Sequence, residues 1–204
     1  MMNEMTGLHE ARLDHVCSTL KTSGARRVLD LGCGAGALLY RLLNEPAFTE
    51  VVGVEQSILR LAEARQMLQA HLVGDTPRLT LLPGSYTDRH ASLVGFDAAA
   101  MVETIEHIPL PMLSQVEETV FGYFRPRVLF MTTPNREYNP LFGMAANAFR
   151  EPDHKFEWDR LKFKRWASGV ALRQGYRVTM GGIGDYDAEA GYPTQTALFT
   201  LGHL

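Results

Sequence analysis

One stretch constrains this chain more than any other: Val28-Leu29-Asp30-Leu31-Gly32-Cys33-Gly34-Ala35-Gly36. A short apolar run over 27–31 reads as a buried strand. It enters a glycine turn that opens a helix over 37–43. Glycines let a backbone approach a ligand closely, in the crevice beyond the strand's carboxyl end. A strand, glycine turn and helix in that order belong to an α/β sheet.

The rest of the chain keeps the same alternation. Helices are expected over 10–23, 57–71 (capped by Ser57), 113–124 and 161–174, the last stopped by Gly175. Strands are expected over 50–55, 78–83, 96–102, 127–132, 176–180 and 194–201. The predicted fold class is α/β and Rossmann-like, with a mostly parallel seven-stranded sheet, helices on both faces and a final antiparallel strand. One long irregular segment runs over 133–160, and long loops in compact domains tend to carry function.

Length and composition narrow the class. With 204 residues, 46% of them hydrophobic, the chain is expected to fold as a single domain across 1–204. It has no run of 18 uncharged apolar residues, and its first ten residues lack a basic-then-apolar signal, so a cytoplasmic protein without a membrane partner is expected. Cys17 and Cys33 have no zinc spacing and cannot build a disulfide framework. A net charge of −3 excludes bulk electrostatic coating of nucleic acid, although 150–177 holds eight Lys or Arg against four Asp or Glu. That stretch reads equally as a solvated helix face or as a phosphate-contacting patch.

The glycine loop also says something about its ligand. Gly32, Gly34 and Ala37 loosely satisfy the dinucleotide fingerprint, a weak pattern alone. Asp30 argues against a nicotinamide cofactor, because a pyrophosphate would meet a negative charge there. A carboxylate at that point suits the ammonium of S-adenosylmethionine. Glu55, at the end of the second strand with Gln56 beside it, is placed to accept from ribose hydroxyls. Ser85 and Tyr86, after the third strand, occupy the usual adenine position. The expected cofactor-binding residues are therefore Asp30, Gly32, Gly34, Gly36, Glu55, Gln56, Ser85 and Tyr86. Together they resemble the class I Rossmann-like S-adenosylmethionine-dependent methyltransferases.

After the fourth strand comes Glu103-Thr104-Ile105-Glu106-His107. If it turns helically, positions i, i+3 and i+4 share one face beside the crevice. Acids also favour helix N-termini, and small-molecule O-methyltransferases carry a similar string here. These residues alone leave metal binding, capping and small-molecule chemistry open.

Two further strings lie in the long segment, Thr133-Pro134-Asn135-Arg136-Glu137-Tyr138-Asn139 and Asp153-His154-Lys155-Phe156-Glu157-Trp158. With 103–107, and with Ile183-Gly184 and Pro193-Thr194-Gln195, they resemble the bacterial branch of the small-RNA 3′-terminal ribose 2′-O-methyltransferase family. The resemblance runs from about Leu8 to Phe199. It implies that Glu103, Glu106, His107 and His154 are catalytic metal ligands for Mn²⁺ or Mg²⁺. Their mixed nitrogen and oxygen donors suit Mn²⁺ better, with two octahedral positions left for a terminal ribose diol. Asn135, Arg136 and Tyr138 are candidates for holding that nucleotide. One departure is that Arg150-Glu151-Pro152 stands where relatives have Arg-His before the Asp-His pair, which bears on how this loop meets RNA.

The expected activity is methylation of the 2′-hydroxyl at an RNA 3′ end, in RNA repair. In bacterial relatives this domain forms the C-terminal part of a longer protein that works with a polynucleotide kinase-phosphatase, so that enzyme and the RNA 3′ end are the expected partners. The alternatives are a metal-assisted O-methyltransferase for a small diol and a non-catalytic support module of an RNA-repair ligase complex.

Overall fold

The computed structural model describes residues 2–73, 77–145 and 147–202, with side chains from residue 7 onward. Its strands are β1 (Arg27–Leu31), β2 (Glu50–Glu55), β3 (Leu79–Pro83), β4 (Ala98–Val102), β5 (Val128–Pro134), β6 (Tyr176–Ile183) and β7 (Thr194–Leu201). They form one sheet in the order β3-β2-β1-β4-β5-β7-β6. All adjacent pairs from β3 to β5 are parallel, and β7 runs antiparallel to both β5 and β6. The reversed strand thus lies inside the sheet edge, so the sheet is mixed. The sequence anticipates its direction but not its insertion between β5 and β6.

The central strands are buried on both faces, β1 and β4 almost completely, as a sheet covered on both sides requires. On one face lie α1 (Met2–Thr22), α2 (Ala37–Asn44) and α3 (Ile58–Met67). Their Leu13, Val16, Leu20, Leu39, Leu42 and Leu61 pack on Val28, Val51 and Ala98. On the other face lie α4 (Leu113–Val116), the differently wound helix Glu117–Phe124 that follows it, and α5 (Arg160–Gln174). There Phe121, Phe124, Phe163 and Val170 pack on Leu29, Met131 and Phe199.

The elements differ from the sequence expectation mainly at their ends. α1 starts at Met2, well before residue 10, and α3 stops at Met67 ahead of a short 3₁₀ turn, Gln69–His71. Ser57 caps α3 as expected, its side chain accepting from the Arg60 N–H. Glu117–Phe124 is a π-helix rather than a continuation of the α-helix; apolar spacing does not separate the two windings. Inside 133–160 the chain makes a 3₁₀ helix, Arg136–Phe142. Among the described residues, no helix is long and apolar enough to cross a membrane.

Candidate active site

Strand order reverses between β1 and β4, and a crevice opens there beyond their carboxyl ends. It is a cleft of about 510 Å³. Gly32, Gly34, Glu55, Gln56, Ser85 and Tyr86 line one side, and Glu103, His107, Asp153 and Lys155 the other. Six of the expected cofactor residues and two of the expected metal ligands, Glu103 and His107, therefore line one cavity, whereas Asp30, Glu106 and His154 lie buried behind its wall.

The glycine loop is held by two N–H donors, Gly32 at 2.8 Å and Cys33 at 3.0 Å, to the Val54 carbonyl. Gly32 has φ +85, and a Cβ on it would meet Thr104 Oγ1 at 2.3 Å. Only glycine fits that position. Gly36 lies outside the cleft wall; it sits at φ 91 as the N-cap of α2. Glu55 accepts from the Gly34 N–H at 2.9 Å and from the Ser57 N–H at 2.7 Å, which fixes its carboxylate at the cleft. Tyr86 is nearly buried and donates its hydroxyl to the Thr104 carbonyl at 3.1 Å. Ser85 bonds to Thr87.

Asp30 is 2% exposed, and its Oδ2 has no hydrogen-bond partner among the described residues. Burial, with help from Glu55, pushes its carboxyl up to about 7. A buried, unpartnered carboxylate oxygen is what an ammonium group would satisfy. The donor set at this end fits an S-adenosylmethionine amino-acid moiety.

At the other end, one atom from each of Glu106, His107 and His154 lies within 4.8 Å of the others. Glu106 is fully buried; Oε2 accepts from Thr133 Oγ1 at 3.0 Å, and Oε1 has no partner among the described residues. Burial first, and Glu103 second, hold its carboxyl well above the usual range. The His107 and His154 rings meet edge to face at 4.8 Å. Burial lowers the His107 pKa despite Asp153, which keeps the ring neutral and able to ligate.

Each imidazole has a carboxylate at Nδ1: Asp153 on His107 at 3.0 Å, and Glu157 on His154 at 2.7 Å. That leaves Nε2 as the nitrogen each ring can offer. Glu157 is itself buried and accepts from Asn139 Nδ2 and the Arg150 N–H, both at 2.6 Å. Burial alone would raise its pKa, but His154, Arg150 and Asn139 together hold it below the usual value. Arg150 Nε in turn donates to Asn139 Oδ1 at 2.7 Å. A carboxylate behind a ligating imidazole is the usual companion of a metal site, and the orphaned Glu106 oxygen fits a cation.

Glu103 stands apart from that group. The segment is not one continuous helical turn: Glu103 has φ 48, and the 3₁₀ turn begins only at Ile105. Its side chain leaves toward Arg12 Nη1, 2.9 Å away, and Thr132 Oγ1, also 2.9 Å away. Asn135 is buried, its amide donating to the Ala190 and Tyr192 carbonyls at 2.7 and 2.8 Å and its Oδ1 capping the next turn. Arg136 lies over the Phe149 ring and Tyr138 against Phe142. Gln195 pins the loop by donating to the Pro134 and Trp158 carbonyls at 3.0 and 2.8 Å.

A family model described as a methyltransferase domain matches residues 29–129. The curated "Small RNA 2'-O-methyltransferase" of Mus musculus is 36% identical over 203 residues, covering 95% of this chain and 51% of that protein. A crystal structure of the methyltransferase domain of bacterial CtHen1 is 38% identical, with a TM-score of 0.85 over 95% of this chain and 100% of that one. The chain belongs to the small RNA 2′-O-methyltransferase family. Its fold is that of class I S-adenosylmethionine methyltransferases. It spans about half the length of the mouse member of the small RNA 2′-O-methyltransferase family. A chain in the structure of a Pnkp1/Rnl/Hen1 RNA repair complex shares the fold at TM-score 0.70 and 20% identity, over 95% of this chain and 41% of that one.

Several residues around this small RNA 2′-O-methyltransferase family site carry no role in the sequence reading: Arg12, Asn139, Arg150 and Glu157. Glu157 was findable, because an acid three residues after a candidate ligand histidine is a natural second carboxylate. Arg12 gave no signal, since nothing on an amphipathic helix marks one arginine as reaching a strand end 91 residues away.

Proposed function

We propose that this chain methylates the 2′-hydroxyl of the 3′-terminal nucleotide of RNA, using S-adenosylmethionine and a divalent metal, Mn²⁺ or Mg²⁺. The observation that carries this reading is the Glu106, His107 and His154 group beside the glycine-loop cleft. The family membership supports RNA 2′-O-methylation as the chemistry. We read 1–204 as one methyltransferase domain. As partner we propose a polynucleotide kinase-phosphatase, in keeping with the Pnkp1/Rnl/Hen1 repair complex that contains a chain of this fold, and as location the cytoplasm.

The methyl donor brings an activated sulfonium methyl, and a bound dication supplies Lewis acidity that lowers a hydroxyl's pKa. The remaining work falls to the chain. Asp30 neutralises the donor's ammonium, and Glu55 accepts from its ribose. Glu106, His107 and His154 hold the metal, with Asp153 and Glu157 orienting the two imidazoles. Holding donor and acceptor in one cleft removes the entropy of bringing them together. Asn135, Arg136 and Tyr138 remain candidates for the nucleotide wall, Asn135 by shaping the loop, because its amide and its backbone are both engaged within the chain.

The test is methyl transfer from labelled S-adenosylmethionine to a short RNA with Mn²⁺ present, against the same RNA carrying a 2′-deoxy 3′ terminus. Transfer to the first alone supports the proposal. Equal labelling of both, or labelling of free diols only, overturns it.

A further inference from the structure

We propose that Arg12, on α1, is a positioning residue that sets how many protein donors the metal group offers. Both Glu103 oxygens are engaged, Oε2 by Arg12 Nη1 and Oε1 by Thr132 Oγ1, each at 2.9 Å. The Arg12 and Glu103 side chains are 13% and 19% exposed, so their attraction is less screened than at a surface. Arg12 also reaches Thr194 Oγ1 at 3.3 Å, which anchors it to the first residue of β7. Glu103 meanwhile has φ 48, a conformation that costs a side-chain-bearing residue unless its surroundings hold it.

The consequence is a three-donor group, because Glu103 is not among the atoms gathered within 4.8 Å. A dication in that group and the Arg12 guanidinium are alternatives for one carboxylate. Arg12 Nε is buried without a partner among the described residues, so the guanidinium keeps an unmet donor for another acceptor when Glu103 leaves. The site gains its fourth donor only when the pair opens.

This inference rests on the metal reading above, and Mn²⁺ affinity without methyl donor or RNA separates the two. Electron paramagnetic resonance titration is applied to wild type, Arg12→Gln, Glu103→Gln and the double variant. Arg12→Gln should bind Mn²⁺ at least about threefold tighter, and that gain should vanish in the double variant. Arg12→Lys should stay near wild type. If Arg12→Gln does not fold, Arg12→Met, which keeps the apolar stem, carries the same comparison. Unchanged or weaker binding in Arg12→Gln overturns the positioning role and leaves the metal reading standing. So does a gain that persists in the Glu103→Gln background, since that is charge repulsion alone. Absence of Mn²⁺ binding in every variant overturns the metal reading and the positioning role together.

Discussion

Glu157 Oε1 lies 2.7 Å from His154 Nδ1, and Glu157 is held there by Asn139 and by the Arg150 backbone. The contact occupies Nδ1 and leaves Nε2 as the nitrogen free to ligate, in a ring grouped with Glu106 and His107. Glu157→Gln should weaken Mn²⁺ binding by roughly 10- to 100-fold while leaving affinity for S-adenosylhomocysteine unchanged. His154→Ala should abolish Mn²⁺-dependent transfer with the same cofactor affinity. Calorimetric titration of both ligands checks this; parallel loss of the two would mean that the 150–158 loop serves the fold alone.

Asp30 predicts a pH dependence with a definite sign. Its carboxyl is raised from 3.8 to about 7 in the folded chain. The native state therefore holds a proton that the unfolded state releases, and stability falls as pH rises from about 4 to about 7. The loss is on the order of a few kcal/mol, and it should be smaller in Asp30→Asn. Urea midpoints across that range test it. Pairing with an ammonium reverses the penalty, so S-adenosylhomocysteine affinity should climb between pH 6 and 7.5. A flat affinity profile would remove Asp30 from the cofactor's partners.

Gly32→Ala places a methyl 2.3 Å from Thr104 Oγ1 at a backbone φ of +85. Destabilisation by about 1–3 kcal/mol is expected, read as a lower Tm. Thr104→Ala in the same chain should recover part of the loss by removing the clashing oxygen. A Gly32→Ala variant of unaltered Tm would show the loop to be pliant.

A free vicinal diol is the acceptor that a metal beside the cleft can bind. An RNA ending in a 3′-phosphate should therefore go unmethylated, and phosphatase treatment should restore transfer. Efficient methylation of the phosphorylated end would refute diol binding.

The strand, glycine turn and helix at 27–43 were legible because each step has its own chemical signature: an apolar run, three glycines at positive φ, then a helical repeat. Asp30 and Glu55 were legible for the same reason, as acids at the ends of buried strands. The local winding of 103–107 was not. Helical spacing predicts a shared face for Glu103, Glu106 and His107, but Glu103 has a left-handed backbone and its carboxylate is bonded to Arg12 and Thr132 instead of joining the group. Such a conformation has no signature in a non-glycine residue. Asn135 shows a second limit: its side chain anchors the chain segment at 190–192, a contact across 55 and 57 residues that no local pattern encodes.

The pairing of β1 with β4, Asp30 opposite Ala100, has a mechanical consequence. The cofactor end hangs from β1 and β2, and the metal end from β4 and β5. These strands are neighbours in one hydrogen-bonded sheet, so the strands leading to Asp30 and to Glu106 are tied by one continuous backbone ladder. The register of that ladder sets the spacing between the two ends of the cleft. Acceptors would then be sorted by reach, a hydroxyl too deep or too shallow for that spacing meeting the methyl group poorly.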